Sequence, residues 1–254
     1  MTFDPGIIKY LQRKPFAMKI IFVRHGHPNY RQDCLTELGH LQAAAAAERL
    51  SDEGIEQIFS SSHGRAIETA EYTARKLGID EIVKCDFMRE VSWKSIDDTE
   101  IPFGGHPWMI ADQIVTDGES LMDTDWANKE AYSRNIVSGI VQNIEQSFDN
   151  LLADFGYQRE GNYYRVLANT EKTIAIFSHG GSSSAALGHL LNLPFPFMCQ
   201  VMAPHLTAIT IITLNGEPGQ LVSPRVALFN DAKHIEGVSV DSPDAPVVKE
   251  RVFS

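Results

Sequence analysis

A chain of 254 residues, 43% of them hydrophobic, is long enough to bury a full core, and a single α/β domain is the default expectation. The formal net charge of -11 argues against broad electrostatic binding to nucleic acid or to an anionic membrane surface. The three scattered cysteines lack C-x-x-C spacing, and no apolar run is long enough for a signal peptide or a membrane span, so we expect a cytoplasmic protein.

The sequence predicts three parts in chain order. Residues 1–17 are expected to be an N-terminal extension, because Met18 begins a natural strand. Residues 18–236 are expected to form one domain, and the Pro-containing stretch 237–254 is expected to be a C-terminal tail.

The first half of the domain alternates strands with helices. The aliphatic run KIIFV at 19–23 predicts a buried strand, and a helix is expected from about Glu37 to Ser51, capped by Thr36. EQIFS at 56–60 predicts a second strand, the segment 64–78 a second helix, and about 82–87 a third strand.

The second half opens with an irregular segment. Pro, Gly, Trp and acidic residues dominate 92–126, a length that compact domains rarely leave structureless unless it covers a site, and we call it the lid segment. Residues 127–153 have helical periodicity, and KTIAIFSHGGSSSAALGHLLNL predicts a strand, a Gly-rich turn and a helix. Two more strands, at about 208–214 and 222–229, complete a mostly parallel sheet that is flanked by helices.

Three of the predicted strands end in unusual residues: Arg24-His25-Gly26, the run from Ser60 to Arg65, and Ser178-His179-Gly180-Gly181. The carboxyl ends of parallel strands meet at one edge of a sheet. Two guanidiniums and two imidazoles gathered there would repel one another unless an anion lay among them. Arginine matches phosphate oxygens bidentately, and backbone N–H groups at Gly64 and Gly180 can add donors.

In their order along the chain, RHG, LTELGHLQA, SSSHGRAIETA, MREVSW and SHGG resemble the motifs of the histidine phosphatase superfamily, which also contains the cofactor-dependent phosphoglycerate mutases. The resemblance covers roughly residues 18–229 in outline, without the detail of the lid segment. It implies a single three-layer α/β domain that needs no metal and no cofactor.

The resemblance also implies roles for five residues. His25 would be the nucleophile that becomes phosphorylated, and Glu90 of MREVSW would be the proton donor. The phosphoryl group would be held by Arg24, Arg65 and a protonated His179. A neutral imidazole is a good nucleophile near neutral pH, and like-charge repulsion from bound phosphate would raise the pKa of Glu90.

The sequence departs from the family after the glycine, where His27-Pro28 replaces the usual acidic or amide residue followed by Ser or Thr. A hydroxyl ligand of the phosphoryl group is therefore expected to be missing, and the amide of Asn29 is a candidate replacement, beside Gly180, in substrate binding. The Trp, Asn and Gly-Trp signature of the glycolytic mutases is not found after RHG, which favours a phosphatase over a mutase.

Two other functions stay open at this point. His25 and His27 could form an H-x-H metal pair completed by His179, His205 and Asp231, although Arg24 and Arg65 beside a divalent metal would cost electrostatic energy. The pocket could also belong to a binding protein that senses a phosphorylated ligand without catalysis.

The expected partner is a small phosphorylated substrate, such as a sugar or nucleotide phosphate, because the acidic lid segment would repel polyanions. Phe103, Trp108 and Trp126 are expected to pack together as the small core of the lid segment, and packing on an organic leaving group is the alternative. The oligomeric state is open, with a homodimer among the options.

Overall fold

The computed structural model describes residues 17–168 and 170–239. Apart from residue 17, the predicted extension 1–17 lies outside the described residues, and so does the predicted tail beyond residue 239. No helix in the described ranges combines the length and the apolar character that a membrane span requires.

The described chain contains eleven strands and seven α-helices. The strands are β1 Ala17–Arg24, β2 Pro28–Asn29, β3 Cys34–Leu35, β4 Gln57–Ser60, β5 Ile82–Lys84, β6 Tyr157–Glu160, β7 Tyr163–Val166, β8 Thr173–Ser178, β9 Ile209–Asn215, β10 Leu221–Val222 and β11 Arg225–Asp231. The helices are α1 Glu37–Leu50, α2 Gly64–Leu77, α3 Pro107–Thr116, α4 Glu130–Ser133, α5 Ile136–Asp154, α6 Gly180–Leu191 and α7 Phe195–Val201.

A six-stranded sheet in the order β11-β9-β1-β8-β4-β5 forms the centre of the molecule. Strands β1, β8, β4 and β5 run parallel to one another, whereas β9 is antiparallel to both of its neighbours, β1 and β11. The expected α/β architecture with a mostly parallel sheet is therefore confirmed. A smaller sheet, β10-β7-β6, stands beside it.

Successive side chains of β1 point to opposite faces of the sheet and pack in two core clusters, one on each side. Ile20 and Phe22 pack in the cluster that includes residues of α5 and α6, whereas Ile21 and Val23 pack in the one that includes residues of α1 and α2. Burial on both faces explains why the strand reads as an unbroken aliphatic run.

Register brings the predicted strand ends together. Arg24 of β1 pairs with Ser178 of β8, and Ser60 of β4 pairs with Phe177. Just beyond these pairs, the His25 N–H donates to the Ser178 carbonyl at 2.9 Å, and the Ser61 N–H donates to the Phe177 carbonyl at 2.8 Å. All three motifs consequently leave the sheet at one edge.

Close backbone packing explains two glycines of the motifs. A Cβ on Gly39 would lie 2.2 Å from the His27 carbonyl oxygen, and one on Gly64 would lie 2.1 Å from the Asp33 carbonyl oxygen. The starts of α1 and α2 can therefore approach the loop that follows β1 only with glycine at these positions.

Two of the predicted elements differ clearly from the structure, and one observed element has no counterpart in the prediction. The third strand ends at Lys84 and gives way to a 3₁₀ turn at Asp86–Met88. The predicted helix 127–153 is broken into a 3₁₀ turn, the short α4 and the long α5, because buried Asn135 caps a new helix by accepting from the Val137 N–H at 3.1 Å. The hairpin β6–β7 was not predicted.

Candidate active site

His25 lies at the base of the site, 1% exposed, immediately after β1. Its Nδ1 is 2.7 Å from the Gly26 carbonyl oxygen, and because a carbonyl can only accept, Nδ1 carries the proton. The lone pair is then on Nε2, the nitrogen available to a substrate. Burial first, and then the positive charge of Arg24, lower the pKa of His25 well below its ordinary range, so the ring is neutral at neutral pH.

His179 is fully buried beside His25, with the two ring centroids 5.1 Å apart. Its Nε2 shares a hydrogen bond of 2.8 Å with Oγ of Ser61. Burial lowers the pKa of His179 well below its ordinary value, and the neighbouring His25 and Arg65 lower it further. The protein side chains alone thus favour a neutral His179, and the protonated form expected against a phosphoryl group requires the negative charge of that group.

Arg24 and Arg65 are each anchored through one terminal nitrogen. Arg24 Nη1 donates to the Pro204 carbonyl at 2.9 Å, and Arg65 Nη1 donates to Oδ1 of Asp33. Tyr30 lies over the Arg65 guanidinium, 5.3 Å from the ring centroid to the guanidinium carbon. Both side chains line a cavity of about 380 Å³.

Three buried nitrogen atoms of this cluster have no hydrogen-bond partner among the described residues: Nε of Arg24, Nε of Arg65 and Nδ1 of His179. Buried polar groups in native proteins are normally paired, so a concentration of unpaired nitrogens next to one histidine needs a physical reason. A group with several acceptor oxygens would pair them, and phosphate is such a group.

Glu90 also lines the cavity and lies against the N-terminus of α6. Its Oε1 accepts from the N–H groups of Val91 and Gly181, both at 2.9 Å, and from that of Ser182 at 3.3 Å. Burial raises the pKa of Glu90 and outweighs the opposing effect of Arg24. The protonated form is therefore favoured by desolvation, before any like-charge repulsion from a bound phosphate.

Asp33 organises the second arginine of the site, a role that the sequence analysis missed. Besides Arg65, its carboxylate accepts from the Gly64 N–H at 2.8 Å and faces Nδ1 of His63 at 3.1 Å. Burial opposes ionisation, but these hydrogen bonds prevail and lower the pKa of Asp33. The Gly64 N–H, expected to serve the anion, is thus committed to Asp33.

Asn29 does not occupy the expected position. Its amide nitrogen donates to Gln32 at 3.0 Å in an exposed turn, and the cavity is lined instead by the next residue, Tyr30. Gly180, the other predicted contact, does line the cavity.

The aromatic residues of the lid segment separate instead of forming one core. Trp126 packs on Tyr132 and Phe195, with ring centroids 5.0 and 5.6 Å away, whereas Trp108 lines the cavity and Phe103 is 42% exposed. No sequence signal distinguishes these positions, because their neighbours come from distant parts of the chain.

The residues of the metal alternative are engaged in other interactions. The His27 ring pairs through Nδ1 with Thr36 at 2.9 Å, and Asp231 pairs with Arg49 at 3.3 Å. In the ranges that the structure describes, no group of three or more His, Cys, Asp or Glu side chains is arranged to hold a metal ion.

The residues that contain the first motifs match a known family. Residues 20–103 match the model of the histidine phosphatase superfamily (branch 1). The predicted resemblance is confirmed. This match includes the RHG motif, the loop with Asp33, the SSSHGRA turn and Glu90. A search of curated proteins found no match.

Solved structures share the fold over most of the chain. A mycobacterial glucosyl-3-phosphoglycerate phosphatase aligns with 84% of this chain and 99% of its own, at 21% identity and a TM-score of 0.57. A phosphoserine phosphatase from Entamoeba histolytica aligns with 86% of this chain and 99% of its own, at 22% identity and a TM-score of 0.54. YhfR of Bacillus stearothermophilus aligns with 86% of this chain and 99% of its own, at 21% identity and a TM-score of 0.55. Likeness at this level of identity establishes the phosphoglycerate mutase-like fold.

Proposed function

We propose that this protein is a phosphatase that hydrolyses small phosphomonoesters through a phosphohistidine on His25. The observation that carries the proposal is the set of unpaired buried nitrogens on Arg24, Arg65 and His179 beside a neutral histidine. The phosphatase names of the structural relatives and the family match of residues 20–103 support the same reaction class.

In the first step, Nε2 of His25 attacks phosphorus and the bond from phosphorus to the ester oxygen breaks. The Gly26 carbonyl holds the proton on Nδ1 and stabilises the ring as it gains positive charge. The equatorial phosphoryl oxygens lie against Arg24, Arg65 and His179, which are donors fixed in place before the reaction. Glu90 gives its proton to the departing alkoxide.

In the second step, water attacks phosphorus and the N–P bond breaks. Glu90, now a carboxylate, accepts a proton from the water, and inorganic phosphate leaves with the neutral His25 restored. The three backbone N–H groups on Oε1 of Glu90 stabilise the carboxylate between the two steps, while burial favours its reprotonation.

The decisive experiment traps the intermediate. The enzyme is mixed with p-nitrophenyl phosphate, quenched in base and analysed by mass spectrometry, because phosphohistidine is labile in acid. We expect one phosphoryl group on the peptide that contains His25, and turnover that persists in a strong chelator.

Two histidine variants separate the proposal from its alternatives. His25→Ala is expected to abolish both the adduct and turnover, whereas the matched control His27→Ala retains both, since the His27 ring is bonded to Thr36. Equal loss in both variants, with activity restored by zinc after chelation, would instead support the metal hydrolase. Phosphate binding without adduct or turnover in the unmodified protein would support the non-catalytic sensor.

A further inference from the structure

The side of the cavity that would face the leaving group has an aromatic wall, which we define as Trp93, His106 and Trp108. The ring centroids of Trp93 and His106 are 4.5 Å apart, those of His106 and Trp108 are 5.6 Å apart, and those of the two tryptophans are 6.0 Å apart. All three residues line the cavity and are partly exposed.

The aromatic wall is fixed to the core of the domain. Buried Tyr132 donates its hydroxyl to the Pro107 carbonyl at 3.2 Å, and buried Asn135 donates its amide to the Gly105 carbonyl at 2.7 Å. These two bonds hold the backbone on either side of His106. A ring that packs on this wall would therefore meet a surface that is already formed, which reduces the entropy cost of binding.

The positive charge that lines the cavity belongs to the two arginines proposed to hold the phosphoryl group. Among the described residues that line the cavity, Arg24 and Arg65 are the only Lys or Arg side chains. Arg89 does not line the cavity, and its Nε lies 3.5 Å from Nε2 of His63. Burial lowers the pKa of His106, so this ring adds no positive charge at neutral pH. A carboxylate on the leaving group would find no cation of its own.

We propose that the preferred substrates are phosphomonoesters whose alcohol carries a flat, uncharged ring that packs against Trp93, His106 and Trp108. The inference rests on the proposed phosphatase function and adds the class of leaving group. A cavity of about 380 Å³ is at the small end of ligand sites and suits a phosphoryl group with one ring system. Contact with the ring, remote from phosphorus, would supply binding energy that orients the ester for attack.

The test compares three esters that differ in what they place against the wall. Benzyl and ethyl phosphate release alcohols of similar basicity, so their kcat/KM ratio reports on ring binding more than on leaving-group chemistry, and phosphoserine adds a charged carboxylate. We expect kcat/KM for benzyl phosphate to exceed that for ethyl phosphate by about tenfold or more, and phosphoserine to be the poorest. Equal values for benzyl and ethyl phosphate, or a preference for phosphoserine, would overturn the inference.

The panel keeps this inference separate from the proposed function. Failure to hydrolyse any ester, including p-nitrophenyl phosphate, would refute the phosphatase itself. Hydrolysis without a preference for the ring would refute only the leaving-group class.

Variants of the wall then locate the preference. Trp108→Leu is expected to lower the benzyl-to-ethyl ratio at least fivefold, and Trp108→Phe to restore most of it, because the aromatic face returns. Met109→Ala is the matched control, since Met109 is 48% exposed next to Trp108 and does not line the cavity. An unchanged ratio in Trp108→Leu would contradict the assignment, and the ester panel on the unmodified protein decides the matter if that variant does not fold.

Discussion

Gly181→Ala tests whether the packing around Glu90 is as tight as the structure indicates. Gly181 is the second residue of α6, and a Cβ there would lie 2.3 Å from Cγ2 of Val91, 2.7 Å from Oε1 of Glu90 and 3.1 Å from Cη2 of Trp108. Ordinary contacts begin near 3.4 Å, so Val91 must move by about an ångström and Glu90 by most of one. One methyl group thus disturbs the core, the proposed proton donor and the aromatic wall together.

The magnitudes follow from these displacements. Overpacking a core costs about 1–3 kcal/mol, and replacing a helical glycine with alanine returns about 0.5–1 kcal/mol, so the free energy of unfolding should fall by about 0–2.5 kcal/mol. Activity should suffer more, because a misplacement of about 1 Å can reduce the rate of reaction roughly 100-fold.

Gly139→Ala is the matched control, and the assay pairs urea unfolding with kcat/KM for p-nitrophenyl phosphate. Gly139 is exposed inside α5, and a Cβ there meets nothing within 4 Å. We expect that variant to gain about 0.5–1 kcal/mol of stability with unchanged activity. If Gly181→Ala behaves in the same way, Glu90 is not held at the site as described, and the reasoning about its role is refuted.

Three further predictions concern the charges of the site. With Glu90→Gln, p-nitrophenyl phosphate should give a burst of p-nitrophenol followed by turnover about 100-fold or more below the normal rate. The reason is that this leaving group needs no proton, whereas the attacking water still needs a base. Stopped-flow absorbance that shows no burst would contradict the proposed second step. Asp33→Ala should lower kcat/KM about 10- to 100-fold because it releases Arg65, and the loss of one charge-assisted hydrogen bond costs about 1.5–3 kcal/mol. The control Glu53→Ala breaks ion pairs with Lys19 and Arg49, which do not line the cavity, and should leave kcat/KM unchanged. Plotted against pH, kcat/KM should fall in acid as His25 gains a proton, at a pH below the ordinary histidine pKa of about 6.5. It should also fall in alkali as Glu90 loses its proton, at a pH above the ordinary glutamate pKa of about 4.3.

Local sequence signals were sufficient to predict the fold where a strand, a turn and a helix follow one another in the chain. The units β1–α1, β4–α2 and β8–α6 were predicted because aliphatic runs, capping residues and glycines lie next to each other in the chain. The break before α5 was missed because it depends on Asn135, whose side chain also bonds the distant Gly105. The β6–β7 hairpin had a usable signal, since Gly161-Asn162 separates two tyrosine-containing runs.

The residues of the candidate site also fall into those that the sequence could predict and those that required the structure. Arg24, His25 and His179 stand at strand ends that sheet topology brings together, so their approach followed from the fold class. Asp33, Trp93 and His106 were not predicted, because their relation to the site arises when irregular segments pack against it. Trp108 was a candidate for contact with a leaving group, but its separation from Phe103 and Trp126 required the structure. The charge state of His179 also required the structure, since its pKa is set by burial that no sequence pattern specifies.

Burial explains how one cavity can hold a nucleophile and a proton donor in the required forms. In water, a glutamate releases its proton at a lower pH than a histidine does, so the pair exists mainly as carboxylate and imidazolium over the intermediate range, with both groups in the wrong state. Desolvation penalises both charges, lowering the pKa of His25 and raising that of Glu90. The two shifts act in the same direction on the pair, because each increases the fraction of molecules with neutral imidazole and protonated carboxyl. Any substitution that admits water to either residue should therefore narrow the pH range of activity, even where every proposed catalytic side chain is kept.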